Sequence, residues 1–148
     1  MNNKGFTLIE LLTVIAIIAI LSAITLVTFP MAQDRAADAR TINAMQQLRT
    51  AAEASYGAYG SYAQVKSSGS SDPTIVSLVA EITANATSLT MQPAAPTTAY
   101  CAEAVLKAGT RRWCIDSNMF SDYIPSAKCA SDNVKCQWLA WFKSTEKT

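Results

Sequence analysis

Four cysteines and one carboxylate are the residues of this 148-residue chain whose types and spacing invite chemistry. Cys101, Cys114, Cys129 and Cys136 all lie in the C-terminal half. Paired, they give two disulfides; as thiolates they would offer a tetrahedral zinc site. None of the gaps is a Cys-x-x-Cys and the chain has no histidine, so disulfides formed in an oxidising compartment are the reading adopted, with no metal and no cofactor. The carboxylate is Glu10, the sole charge in the 24 residues from Phe6 to Phe29. No basic residue follows it within that run to neutralise it.

Twenty-four residues at about 1.5 Å each suffice to cross a hydrocarbon core of roughly 30 Å. An ordinary secretory signal would be cut after its apolar core, and the passable site there is Leu21-Ser22-Ala23. That cut leaves an apolar new end starting at Ile24 and gives Glu10 no role. A short leader, residues 1–5, cut after Gly5, does better: glycine offers a protease an unhindered backbone, and Lys4 holds the leader in the cytoplasm.

Cleavage between Gly5 and Phe6 creates an ammonium on Phe6, four residues before Glu10 and one helical turn away on nearly the same face. A charge in the middle of a membrane helix costs about 2.5–3.5 kcal/mol on insertion scales. Opposite charges about 4 Å apart at an effective dielectric near 20 attract by about 4 kcal/mol. The terms are comparable, so pairing offsets burial. The cation is the chain's own amine or that of a neighbouring copy; in the second case Glu10 draws in the next subunit and sets its axial register. The plainer alternative places Glu10 near the cytoplasmic interface, within reach of water.

The run Gly5-Phe6-Thr7-Leu8-Ile9-Glu10-Leu11-Leu12, followed by Val14-Ile15-Ala16-Ile17-Ile18, resembles the N-terminal signature of type IV pilins and pseudopilins, with a class III-like prepilin signal. The resemblance covers about residues 4–24. It implies cleavage after Gly5 by a prepilin peptidase, N-methylation of Phe6, and a role for Glu10 in helical filament assembly. It also implies a cytoplasmic ATPase and a membrane platform protein as indirect assembly partners. The precursor would be a single-pass protein of the inner or cytoplasmic membrane, and the product a filament at the cell surface. Many bacterial pilins have glycine where this chain has Ala19 and proline where it has Val27; here the first proline is Pro30. A more continuous helix follows, with any bend near Pro30.

Beyond Pro30, Ala39, Ile42, Met45, Leu48, Ala52 and Tyr56 recur at helical intervals, while Asp34, Arg35, Asp38, Arg40 and Arg49 fall mainly on the other side. The helix is expected to end between Gly57 and Gly60. Residues 66–72 read as a loop, and Asp72-Pro73 as the cap and first residue of a short helix carrying Ile75, Val76, Val79 and Ile82. Residues 93–98 form another break. The resulting division is leader 1–5, filament-core or transmembrane helix 6–29, amphipathic continuation 30–59, connecting segment with a short helix 60–98, and head 99–148. The fold class is α+β: a long N-terminal helix packed on a small antiparallel sheet with disulfides.

In the head, Tyr100–Val105 and Arg112–Asp116 read as a hairpin with Gly109 in an unusual backbone conformation. Folding it between Lys107 and Ala108 sets Cys101 opposite Cys114, which suggests the pairs Cys101–Cys114 and Cys129–Cys136. Four cysteines allow three pairings. Asp116-Ser117 reads as a turn binding its own backbone, Trp113, Trp138, Trp141 and Phe142 mainly as core, with one of Trp138 and Trp141 exposed, and the doublet Arg111-Arg112 as a solvated strand or turn. The net charge of +1 gives no basic surface for nucleic acid or anionic lipid, so binding to DNA or surfaces is unsupported. Without histidine, a phosphate-cradling loop or paired acids, no catalyst is expected. The readings that remain are a pilin of an extracellular filament, a pseudopilin or minor pilin of a secretion or DNA-uptake machine, and an ordinary secreted or anchored protein. Disulfides near the C-terminus favour the first, because the family resembled often closes its last loop that way.

Overall fold

The computed structural model describes residues 5–92, 98–127, 129 and 135–136, and Trp138, Trp141 and Phe142 lie outside them. The chain divides into two compact units, Met1–Asp34 and Arg35–Thr148. Helix α1, Leu8–Tyr59, begins in the first and ends in the second, and runs through Pro30 without a break.

In the first unit the helix is made mainly of Leu, Ile, Val and Ala. Its large apolar side chains from Leu8 to Leu26 stand exposed; Leu8 is 82 % exposed. Its hydroxyls are satisfied locally: Thr13 donates to the carbonyl of Glu10, Thr25 to that of Ser22 and Thr28 to that of Ile24. Back-bonding of this kind removes an unmet donor from an apolar surface and suits the segment to a water-free environment.

In the second unit the same helix buries a stripe at Thr41, Ala44, Met45, Leu48, Ala52 and Ser55. The expected stripe is right at Met45, Leu48 and Ala52, but Ala39 and Tyr56 are exposed and Ile42 is only half-buried. Thr41 and Ser55 are buried in their stead. The helix ends as expected: Gly60 has φ +68 and its N–H donates to the carbonyl of Tyr56, a left-handed cap that glycine adopts without cost. Helix α2, Pro73–Asn85, starts at Asp72, whose side chain accepts from the N–H groups of Thr74 and Ile75. It buries Ile75, Leu78 and Ile82, whereas Val76 is exposed and Val79 half-buried.

Four strands form one antiparallel sheet in sequential order: β1 Ser88–Gln92, β2 Cys101–Val105, β3 Arg112–Asp116 and β4 Ser121–Ile124. The sheet therefore begins inside the segment expected to be a connector, and β4 adds a strand the hairpin reading lacked. Cys101 lies opposite Asp116 and Glu103 opposite Cys114, two residues from the expected register. The strands end where expected, at Val105 and Arg112, and the loop is closed by the N–H of Leu106 on the carbonyl of Arg111, with Gly109 at φ +149 as foreseen.

Both faces of β2 and β3 are covered. Ala102, Ala104, Trp113 and Ile115 join Met45, Leu48, Ile75 and Ile82 in the main core. Cys101 and Cys114 point the other way, into a smaller cluster with Ile124, Cys129 and Cys136. Alternation along a strand imposes this division.

Two charged side chains tie α1 to this sheet. Asp38 accepts from the backbone N–H of Lys107 at 2.6 Å and of Ala108 at 3.2 Å, and Arg49 donates to the carbonyl of Met119 at 3.2 Å. Eleven residues make three helical turns, about 16.5 Å, which brings both side chains to one face. That span matches a five-residue strand of about 17 Å, and the two contacts fall in the turns at either end of β3. Of the charges expected mainly on the side away from the stripe, Arg35 and Arg40 are exposed, whereas Asp38 is buried and, with the half-buried Arg49, holds the sheet. Met119 itself has φ +65, a conformation a non-glycine residue adopts at some cost, in a turn held also by Asp116.

Candidate functional site: the N-terminal signal and the cysteine cluster

The first candidate site spans six residues. Gly5 has open space around its α-carbon, and Phe6 is exposed. Thr7 and Glu10 close a reciprocal pair around the start of α1. The Thr7 N–H and hydroxyl donate to Glu10 Oε2 at 2.8 and 2.7 Å, and the Glu10 N–H donates to Thr7 Oγ1 at 3.4 Å. This is a capping box, in which the cap residue and the residue three positions on satisfy each other's backbone donors. Glu10 therefore has a partner in the uncleaved chain, and it is a hydroxyl rather than a cation. The Thr-x-x-Glu spacing of such a box is a local signal in the sequence.

The second site lies on the outer face of β2 and β3. Cys101 is bonded to Cys129 and Cys114 to Cys136. The sequential pairing is corrected. In the observed register Cys101 and Cys114 are diagonal rather than opposite, and diagonal positions sit about 7–8 Å apart at the α-carbon, beyond comfortable disulfide reach. The later cysteines come to them instead. All four sulfurs lie within 4.8 Å of one another, close enough to share a metal ion as thiolates, and here they are taken up by the two S–S bonds. Beside them Glu103 and Asp116 are buried. Glu103 forms an ion pair with Arg112 and accepts the N–H of Cys129 at 3.3 Å. Asp116 accepts the N–H groups of Asn118 and Phe120 through one oxygen and that of Cys136, at 2.8 Å, through the other. The expected Asp116 turn is thus present, with an additional partner from the C-terminal segment.

Arg111 and Arg112 both have structural roles. Arg112 serves Glu103, and Arg111 sits 4.7 Å over the ring of Tyr123, itself edge-on to the buried Trp113.

Residues 1–26 match the family described as the prokaryotic N-terminal methylation motif. The chain carries a type IV pilin-like prepilin signal. No curated protein and no solved structure matches the chain. The prepilin signal ends within the exposed apolar part of α1, which is long and apolar enough to cross a membrane. The motif supports a type IV pilin- or pseudopilin-like protein and implies processing by a prepilin peptidase, and with the apolar helix it fits a membrane-anchored precursor.

Proposed function

We propose that this protein is a pilin, the structural subunit of a type IV pilus-like extracellular filament. Residues 1–5 are a cytoplasmic leader, removed between Gly5 and Phe6 by the prepilin peptidase, and the new terminus of Phe6 is methylated. Residues 6–29 rest in the membrane until assembly and then form the filament core. Residues 30–59, 60–98 and 99–148 carry the outer part, with β1 drawn from the middle segment. The platform protein and cytoplasmic ATPase move subunits from membrane to filament.

One observation carries this reading: the large apolar side chains of α1 from Leu8 to Leu26 are exposed, and the sole charge among them stands one turn from the terminus that cleavage would create. A helix so apolar must be covered by lipid or by copies of itself. Cleavage places an ammonium next to the Thr7–Glu10 cap, so the carboxylate can exchange or supplement its hydroxyl partner with the Phe6 amine of a neighbouring subunit. The exchange adds the attraction of a full cation to a carboxylate that until then accepts only from neutral donors.

The test is Glu10→Gln, which keeps the side chain's shape and the cap's acceptor but removes its charge. Membrane insertion and leader cleavage should persist, with N-terminal sequencing giving Phe6, while filament yield falls by at least tenfold. Normal filament numbers from this variant would exclude an assembly role for the charge. A wild-type chain starting at Ile24 would overturn the processing site, and trace abundance within filaments built of another subunit would assign it instead to the minor pilins or pseudopilins.

A further inference from the structure

The sequence holds the same short pattern twice: Cys101-Ala102-Glu103 on β2 and Cys114-Ile115-Asp116 on β3. Alternation puts cysteine and acid of each triplet on one face, and antiparallel pairing sets Cys101 across from Asp116 and Glu103 across from Cys114. Each acid accepts a backbone N–H from one later cysteine. Glu103 holds Cys129, which is bonded to Cys101; Asp116 holds Cys136, which is bonded to Cys114. In both cases the arriving cysteine is gripped by the acid of the triplet whose sulfur it joins.

Sulfur proximity does not select this pairing. Cys101 Sγ lies 3.7 Å from Cys136 Sγ, and Cys114 Sγ 3.6 Å from Cys129 Sγ, so contact between sulfurs would by itself also allow the nested connectivity, Cys101–Cys136 with Cys114–Cys129. We propose that Glu103 and Asp116 are the specificity-determining residues of disulfide formation, templating the interleaved pairs by holding the backbones of Cys129 and Cys136 before their sulfurs are oxidised. Burial gives the two anchors their leverage, because a buried carboxylate left without its N–H partner is costly, and each acid therefore favours the arrangement in which its amide arrives. Arg112 holds Glu103 in place for this task.

Oxidative refolding of the reduced full-length chain in detergent micelles with a glutathione redox pair tests the assignment. Oxidised glutathione first forms a mixed disulfide with one cysteine; the thiolate of the second attacks that cysteine's sulfur and glutathione leaves. Per bond, one oxidised glutathione becomes two reduced ones, taking up the pair's two electrons and two protons. Trypsin cuts between all four cysteines, at Lys107, Arg111, Arg112, Lys128 and Lys135, so mass spectrometry of the linked peptides reads the pairing directly. Wild type should give the interleaved pairs, and Glu103→Ala with Asp116→Ala should raise the nested share about tenfold. A companion measurement does not depend on that variant folding. With Cys114 and Cys136 replaced by serine, the Cys101–Cys129 effective concentration against glutathione should fall about tenfold on Glu103→Ala and little on Asp116→Ala. With Cys101 and Cys129 replaced instead, the sensitivities should swap. Wild-type pairing in the double variant, or equal loss from both acids in both backgrounds, overturns the proposal.

Discussion

Leu8–Met31 and Thr41–Ala52 belong to one helix, yet they place their apolar side chains in opposite circumstances: Leu8 is 82 % exposed, and Leu48 is 0 % exposed. Helix formation is common to both, because both are rich in good helix formers. What differs is where the covering surface comes from. The later stretch is covered by α2 and the sheet of its own chain, and therefore needs only one apolar stripe, with Asp38 and Arg49 as polar ties. The earlier stretch is apolar all round and has no covering element among the described residues, as suits a segment covered by lipid or by other copies. The comparison teaches that one helix can contribute to a fold at one end and to an environment or assembly at the other, with composition marking the change near Asp34.

Equivalent truncations in the two stretches should separate these roles most sharply. Leu48→Ala opens a cavity in the main core and should cost the second unit about 2–5 kcal/mol in chemical unfolding. Leu12→Ala should leave that unfolding within about 0.5 kcal/mol of wild type, since Leu12 is 57 % exposed and no part of the main core, while lowering filament yield. If Leu12→Ala destabilised the second unit as Leu48→Ala does, the distinction between covering in the chain and covering from outside would collapse.

A smaller effect tests the polar ties. Asp38→Ala removes the acceptor for Lys107 and Ala108, whose residues are exposed, so water can replace part of what is lost. A cost of about 1–2 kcal/mol is expected, with Arg49→Ala at about half of that, because its single bond is to a solvent-facing turn. Amide hydrogen exchange should show Asp38→Ala loosening the β2–β3 turn and Arg49→Ala the β3–β4 turn. Loosening of both turns by either variant would mean the ties act as one rather than separately.

The elements declared by local chemistry were legible from sequence: the prepilin signal, the Asp72-Pro73 start of α2, the Gly60 stop of α1, Gly109 in the hairpin and the turn at Asp116. Elements set by what packs against them were less so. β1 is a short edge strand with little apolar content, and nothing in Ser88–Gln92 distinguishes it from a connector until β2 lies beside it. Asp38 looks solvated on a helical wheel because a wheel does not show the turn that descends onto it. The cysteine pairing was missed by two residues of register, which turned opposite positions into diagonal ones. Thr7 was the avoidable omission, since its spacing to Glu10 is a local signal.

The smallest effect concerns the far end of α1, where Tyr62 stacks on Tyr56 at 4.6 Å and donates its hydroxyl to Glu53 at 3.0–3.1 Å. Burial first, then the hydrogen bond and charge of Glu53, push its pKa up from about 10 to about 12. Burial likewise raises that of Tyr100 beside it. Because the folded state holds the proton more tightly, the unfolded chain ionises first as pH rises. The stabilisation is therefore complete below pH 10, declines between about pH 10 and 12, and is gone above that window. Tyr62→Phe should cost about 1 kcal/mol at pH 8 through the lost bond to Glu53. Since phenylalanine cannot ionise, the wild-type and variant unfolding curves, followed by Trp113 fluorescence, should converge as pH passes through that window. Charges remote from Tyr62 titrate alike in both proteins and cancel in the difference, whereas Tyr100, which Tyr62 influences, adds to it in the same direction of pH. Curves that stayed parallel to pH 11.5 would show that the Tyr62 hydroxyl contributes nothing dependent on its proton, and that this end of the helix is held by ring stacking alone.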